Sequence, residues 1–416
     1  MRLIIVGSGI VGAACAYTAA RLGAQVTLID AARPGQATAA GAGIICPWTA
    51  AVDDPAWYAF GRTAARQYPA LIADLKEQGE SDVSYATVGA LLVGDGDQLE
   101  QARQRLTARR AAAPEIGEVA LIDDRQARDL FPPLRPGATA LFIPGAARVD
   151  GRRLAAALIR AATRLGATTR TGEAKLAYRQ ASPTDPATAS DPDRASHVTG
   201  VTIDGELLEA GAVVVAAGAW TAPLLAPLGV TVRVVPQRGQ IVHIGLDGAD
   251  TSRWPVVLPS ATGHYLLAFD GSRVVAGATR ETGSGFDVRV TPGGLAEVLA
   301  NALAVAPGLG AGTVLETRVG LRPAGPDIRP LLGPVTGVDN LTVATGLGAS
   351  GLTMGPLAGA IAARTALGLP PDQPDRMGQP DRMGQPDRIG QPDRIGQPDR
   401  TDQAGLPDLA PFDPLR

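Results

Sequence analysis

The sequence predicts an α/β protein in two parts: a Rossmann-type half on a parallel sheet, and an α+β half with a large, mostly antiparallel sheet. Three observations support that division. An apolar strand, a glycine turn, a small-residue helix and a second strand follow one another at the start of the chain, a strand-rich stretch fills 232–318, and a further strand, glycine turn and helix occupy 341–367.

Each element of the first unit has a physical task. Residues 3–6 are a continuous apolar run, read as a buried strand, and Gly7, Gly9 and Gly12 follow in the spacing G-x-G-x-x-G. Gly7 permits the tight turn, Gly9 lets the backbone approach a pyrophosphate, and Gly12 lets the helix over 10–22 pack closely on the strand. That helix opens at Ile10 and Val11, so its N-terminus faces the phosphates. Asp30 ends a second apolar strand, eighteen residues beyond Gly12, and is placed to accept hydrogen bonds from a ribose hydroxyl. A carboxylate there repels a 2′-phosphate, which argues against NADP and leaves NAD and FAD open. The next segment, 31–48, is small and glycine-rich around Thr38, Gly41, Gly43 and Ile44, the composition needed where backbone lies against a large flat ligand.

Composition narrows the function classes. With 416 residues, 45% hydrophobic and 19% charged, the chain is long enough for two domains and a substantial core. A net charge of −3 gives no nucleic-acid surface. Basic residues are almost all Arg, the only lysines being Lys76 and Lys175, so a single Arg carries little information. No run of about eighteen apolar residues exists to span a membrane, and the glycine fingerprint sits where a signal peptide would need its apolar core. Cys15 and Cys46 form neither a disulfide framework nor a metal set, and His197, His243 and His264 lack metal-ligand spacing. The expected compartment is the reducing cytoplasm, with peripheral contact at the inner membrane left open.

Residues 49–145 change character, with helices over 62–78 and 99–110, an alternating strand over 83–93 and short strands at 119–122 and 138–143. Asp150 is placed to cap an amphipathic helix reaching residue 166. Strands follow at 174–178, 198–203 and 212–217, the last running into Ala217 and Gly218, where small residues again suggest backbone beside a ligand. The Pro-, Ser-, Asp- and Thr-rich stretch 181–196 reads as an insertion without fixed structure. Strands at 232–235, 240–244, 255–258, 265–269, 274–278 and 314–319, with a helix over 292–305, extend the antiparallel sheet. The strand at 341–345 leads through Gly346, Gly348 and Gly351 into a helix opening near Leu352 and Thr353. From Pro374 a six-residue PDRMGQ-type unit recurs, with almost no apolar surface to bury, and the tail 369–416 is expected to be disordered. Turnover should survive its deletion.

In order along residues 1–368, the segments GSGIVGAACAYTAARLGAQVTLID, ATAAGAGIICPW, RVDGRRLAAALIRAATRLGA, VVVAAGAWTAPLLAPLG, VVPQRGQIV, HYLLAFDGSRVVAGAT, GLRPAGPDIRPLLG and ATGLGASGLTMGPLAG resemble the FAD-dependent D-amino-acid oxidase superfamily, especially its glycine oxidase and bacterial D-amino-acid dehydrogenase branches. The resemblance implies FAD rather than NAD. It also implies a Rossmann-type FAD domain from 1–48, 146–228 and 319–368, with a substrate domain from 49–145 and 229–318. The Arg of GLRP, Arg322, then binds a small amino acid by its carboxylate, and Tyr265 helps close the site. The implied reaction oxidises the C–N bond of a D-amino acid, with hydride passing to flavin N5 and the imino acid hydrolysing to keto acid and ammonia. Oxygen or a quinone is the implied electron acceptor. A sarcosine- or proline-type enzyme differs only in pocket shape, and a non-catalytic flavin-bound subunit is the rival from another class.

Departures narrow the carry-over. Leu347 follows Gly346 where many relatives have His, and Ala349 stands where glycine oxidases carry a second Arg. The segment VGLRPAGPD has no Cys for covalent flavin attachment, so non-covalent FAD is expected. Cys46, beside the expected flavin, has no base or metal partner and reads as a small buried hydrophobe.

Overall fold

The computed structural model describes residues 1–180, 196–371 and 408–416. The PDRMGQ-type repeats and nearly all of the expected insertion lie outside those residues, although Ser196 itself opens a strand, Ser196–Ile203. The fold is α/β, as the sequence predicts.

One half is a six-stranded sheet in the order Leu331–Pro334, Leu341–Thr345, Ala212–Val215, Arg2–Val6, Gln25–Asp30 and Thr168–Thr171. Every neighbouring pair is parallel except the first. Arg2–Val6 lies between two parallel strands, which accounts for its continuous apolar run. The helices Ile10–Arg21, Gly151–Arg164 and Gly351–Ala366 pack together against this sheet. Asp150 caps the second of them, accepting from the backbone N–H groups of Arg152 and Arg153 at 3.0 and 3.3 Å.

The other half is a nine-stranded sheet. Its path runs Glu281–Thr282, Val235–Gly245, Arg273–Gly277, Tyr265–Phe269, Val256–Pro259, Ala90–Val93, Ala140–Ile143 and Ala120–Ile122, with Thr313–Ala324 also on Val235–Gly245. All pairs are antiparallel except Val256–Pro259 with Ala90–Val93.

Three differences from the sequence reading matter for the site. The strands expected at 232–235 and 240–244 are one strand, Val235–Gly245, whose whole length pairs with Thr313–Ala324. Residues 319–324 therefore lie in the large sheet, and the chain returns to the parallel sheet only at Leu331–Pro334. The helix expected at 62–78 begins earlier, as Pro55–Glu77, because Pro55 occupies its first turn and Asp54 caps it, accepting from Trp57 N–H at 2.8 Å.

The tail expectation fails for 408–416, which pack on the folded body. Phe412 is wholly buried with its ring 5.0 Å from that of Phe60. The Arg416 guanidinium donates to Asp327 Oδ1 at 2.9 Å, to the Arg329 carbonyl at 2.7 Å and to the Pro330 carbonyl at 2.9 Å. Apolar burial of Phe412 is what orders this segment. Phe412→Ala should lower stability by about 2 kcal/mol, less than a central Phe→Ala because the segment can undock. Urea denaturation checks this, and deletion of 408–416 should shift the midpoint at least as far.

A second prediction comes from His243, which is 2% exposed in the large sheet, with Nδ1 3.2 Å from Arg273 Nη1 and 3.6 Å from Glu316 Oε1. Burial, then Arg318 and Arg273, push its pKa from 6.5 down to about 4, against the pull of Glu316 and with a smaller push from Arg152. The folded state keeps the ring neutral while the unfolded chain protonates it near 6.5. Stability is therefore lost as pH falls through that window, by about 2 kcal/mol between pH 7 and pH 5. Urea midpoints at the two pH values should show this loss, and His243→Gln should remove most of it.

Candidate active site

A cavity of about 820 Å³ lies between the two halves, along the ends of the parallel strands. It is long enough in its lining to pass from Asp30 and Glu173 at one end to Tyr265 and Arg322 at the other. Of the residues expected to touch a dinucleotide, Gly7, Gly9, Ile10, Val11, Asp30, Thr38, Gly41, Gly43, Ile44, Ala217, Gly218, Gly348, Gly351 and Leu352 line it. Gly12, Gly346 and Thr353 do not. Gly12 serves packing instead: a Cβ there would fall 1.8 Å from the Gly7 carbonyl oxygen. Gly346 turns the chain with φ 72°, and a Cβ on it would meet Leu331. The Thr353 hydroxyl donates to the Ile44 carbonyl at 2.9 Å, tying the glycine-rich segment to the last helix.

The dinucleotide end is built from short-range capping. Gly7 takes φ 107°, and a Cβ on it would lie 2.4 Å from the Ala216 carbonyl oxygen, so only glycine fits the first turn. Thr38 Oγ1 accepts from Ile10 N–H at 2.9 Å and so brings the glycine-rich segment onto the start of the first helix. Asp30 does more than await a ribose. Its Oδ2 accepts from Ser8 N–H at 2.6 Å and Ser8 Oγ at 2.8 Å, and its Oδ1 from Ala32 N–H at 2.6 Å and Gln36 Nε2 at 2.9 Å. A ribose hydroxyl would share or replace the Gln36 contact.

At the far end, Gly351–Ala366 presents its N-terminus to the cavity with no side-chain cap. Pro356 lacks an N–H, so the Leu352 carbonyl has no helical donor. The buried Tyr68 hydroxyl donates to that carbonyl from the Pro55–Glu77 helix. Sequence reading missed Tyr68; its signal is a proline four residues beyond a buried carbonyl, which only the fold pairs with a tyrosine.

Arg322 and Tyr265 meet where the two halves join. The Arg322 guanidinium lies against Gly239, where an added Cβ would be 2.4 Å from Nη1, and Nη1 donates to the Thr279 carbonyl at 2.9 Å. No described carboxylate pairs with it, and Asp327, the sequence-adjacent acid, is bound to Arg416 instead. Burial pushes the Arg322 guanidinium below its ordinary range, Tyr265 opposes this and neighbouring Arg280 adds to it. Burial also raises the Tyr265 phenol, which stays protonated and able to donate. Two further lining residues escaped sequence reading, the stacked aromatics Trp220 and Phe286, whose ring centroids are 5.5 Å apart.

Other candidates fall away from the chemistry. Cys46 is buried outside the cavity lining and its thiol is pushed up to about 12 by burial. Among the described residues, no group of three or more His, Cys, Asp or Glu side chains is placed to hold a metal ion, and no helix is long and apolar enough to cross a membrane.

A parallel sheet with a glycine cradle at its strand ends, joined to a mostly antiparallel sheet that turns a half-buried guanidinium to the same cavity, defines a dinucleotide-dependent oxidoreductase. The FAD dependent oxidoreductase (DAO) family model matches residues 2–365, and the chain belongs to that family. It is 46% identical over 367 residues, 88% of this chain and 94% of its counterpart, to the uncharacterized oxidoreductase YurR of Bacillus subtilis. It is 31% identical over 357 residues to a glycine oxidase of Pseudomonas aeruginosa, covering 85% of this chain and 92% of that protein. The crystal structure of iminodiacetate oxidase from Chelativorans sp. BNC1 superposes with a TM-score of 0.82 at 48% identity, covering 90% of this chain and 98% of that one.

The cavity suits the cofactor on its own terms. An added Cβ at Gly218, Gly348 or Gly351 would meet no protein atom within 4 Å, so these lining positions leave space for a ligand at the strand ends. Tyr68→Phe should strand the buried Leu352 carbonyl and cost about 1–3 kcal/mol. It should also loosen FAD, because the helix start at the cavity loses its anchor. Denaturation midpoints and flavin retained through gel filtration test both effects.

Proposed function

We propose that this protein oxidises the C–N bond of a small amino acid, either a D-amino acid or an N-substituted glycine, with Arg322 holding the substrate carboxylate. The observation that carries the reading is a half-buried guanidinium lining the cofactor cavity with no carboxylate within ion-pair distance among the described residues. A partly desolvated cation without a close counter-ion is unfavourable, and a substrate carboxylate in bidentate contact offsets that. The glycine oxidase relatives and the iminodiacetate oxidase neighbour support amino acids of this size.

The Gly7 to Gly12 turn, Thr38 and the N-terminus of Gly351–Ala366 would hold FAD, which when bound would supply the two-electron acceptor for amine oxidation. The chain's own residues do the positioning. Arg322 fixes the carboxylate end, and Tyr265 donates its hydroxyl proton to the same group without giving it up. The amine loses one proton from nitrogen and one hydrogen with its electron pair from Cα. Water then adds to the C=N bond and releases a 2-oxo acid with ammonia, or with the N-substituent as an amine. Oxygen or a quinone takes the electrons onward.

Anaerobic mixing of the FAD-loaded protein with D-amino acids, glycine, sarcosine and the proline isomers tests this directly. Loss of flavin absorbance with at least one of them is the expected outcome, and admitting air separates an oxidase from a dehydrogenase. Arg322→Ala should keep its flavin while kcat/KM falls about a hundredfold, on the order of 3 kcal/mol, mainly through KM. An intact kcat/KM in that variant would overturn the assignment of Arg322.

A further inference from the structure

The substrate end of the cavity holds a second guanidinium, Arg280, which sequence reading did not single out. It is adjacent to the first: Arg322 Nη1 donates to the carbonyl of Thr279, the residue immediately before Arg280. Arg280 is exposed, and both of its terminal nitrogens donate to the Gly263 carbonyl at 3.2 Å. It is thus anchored to the turn before Tyr265–Phe269 without being neutralised. Among the described residues no carboxylate lies within ion-pair distance of it.

The nearby acids make their direct contacts elsewhere, and Glu281 acts on Arg322 only through space. Glu281, next in sequence, is committed to Arg238 at 2.6 Å and to Gln240 and Thr279 at 2.7 Å. Asp287 is held by Arg238 and Arg289. Among the described residues, the acids lining the cavity are Asp30 and Glu173, at the dinucleotide end, where Asp30 accepts from Ser8, Ala32 and Gln36, and Glu173 pairs with Arg33 at 2.7 Å. Two cations of the same sign therefore line one pocket, Arg322 half-buried and Arg280 exposed, with Tyr265 lining the same pocket. A ligand with one carboxylate answers only half of that charge.

From this juxtaposition we infer that the substrate is a small amine carrying two carboxylates, with one on Arg322 and the other on Arg280, and that Arg280 sets this specificity. The inference rests on the amine-oxidising reading above and adds the second anionic group. Two kinds of molecule share the chemistry: a secondary amine with a carboxymethyl group on each side of nitrogen, and an acidic D-amino acid with its second carboxylate on the side chain. Repulsion between the two guanidiniums is relieved only when both carboxylates are in place, so the pocket discriminates against monocarboxylates as well as favouring the dianion.

The test uses FAD-loaded wild type and Arg280→Gln, which keeps size and hydrogen bonding without charge. Binding is read from the flavin spectrum with diglycolate and methoxyacetate, ethers with two carboxylates and one, neither with an amine to oxidise. Turnover is read with iminodiacetate, D-aspartate, D-glutamate and sarcosine. Wild type should bind diglycolate at least tenfold more tightly than methoxyacetate, and Arg280→Gln should reduce that ratio by about tenfold or more. The same fall should appear in the dicarboxylate-to-sarcosine ratio of kcat/KM, and whichever of iminodiacetate or the acidic D-amino acids shows it names the source. A ratio unchanged within twofold in both assays overturns the inference while leaving amine oxidation intact. Selective diglycolate binding with no turnover of any amine sinks the amine-oxidising reading and keeps the paired-cation site.

Discussion

The Leu321 N–H donates to the Gly35 carbonyl at 2.9 Å, and the site depends on that contact between the large sheet and the turn that follows Gln25–Asp30. It is one of a short row. Gln36 bridges Leu321 in the parallel sense, and Ala324 bridges Leu347 in the antiparallel sense, so Thr313–Ala324 is paired to the large sheet on one edge and stitched to dinucleotide-binding loops on the other. Gly320, Leu321, Arg322 and Pro323, at the end of that strand, all line the cavity, Leu321 wholly buried and Arg322 half-buried. At Gly320 a Cβ would come within 2.8 Å of the Ala40 Cβ, so close approach of the two halves requires a glycine there. The guanidinium is thus placed by backbone pairing, not by the reach of a long side chain.

Position, more than charge pairing, gives the two cavity arginines their meaning. Arg238 is bound to Glu281 and Asp287, Arg148 to Asp270, Arg273 to Asp150 and Arg318 to Glu316. A chain so rich in Arg makes any one of them uninformative in sequence, and many of its arginines, such as Arg109 on the Trp48 and Ala50 carbonyls, have no acid partner among the described residues either. Arg322 and Arg280 differ from these by lining the cavity, where an external anion can reach them.

What was legible in the sequence follows the same logic. The strand, glycine turn, helix and Asp30 could be read because each is fixed by neighbours within thirty residues. Thr168–Thr171 was invisible, since all four residues are exposed at the sheet edge and carry no apolar period. Val235–Gly245 looked like two strands because Pro236 and Gly239 interrupt its pattern, yet pairing along its whole length with Thr313–Ala324 holds it straight. Arg322 was reached through the GLRP resemblance, whereas Arg280 stands one residue beyond the quoted HYLLAFDGSRVVAGAT segment and acquires significance only from the carbonyl of Thr279 and the pocket it lines. The ordering of Phe412 against Phe60 depends on a surface that no local pattern reports.

The two halves divide the labour in a way that separates cofactor from substrate. Gly7, Thr38 and the start of Gly351–Ala366 all belong to the parallel sheet and its helices, and Tyr68 secures that helix start by supplying the donor that Pro356 lacks. Tyr265 and Arg280 lie on or just beyond two neighbouring strands of the large sheet, Tyr265–Phe269 and Arg273–Gly277, which do not hydrogen-bond to the parallel sheet. Substitutions at those strand ends can change what the pocket accepts without disturbing how the dinucleotide is held. Arg322 belongs to both systems, since its strand is the seam, so the proposed function would anchor the substrate carboxylate at the seam while the residue inferred to set selectivity, Arg280, follows a strand on the other side of Val235–Gly245.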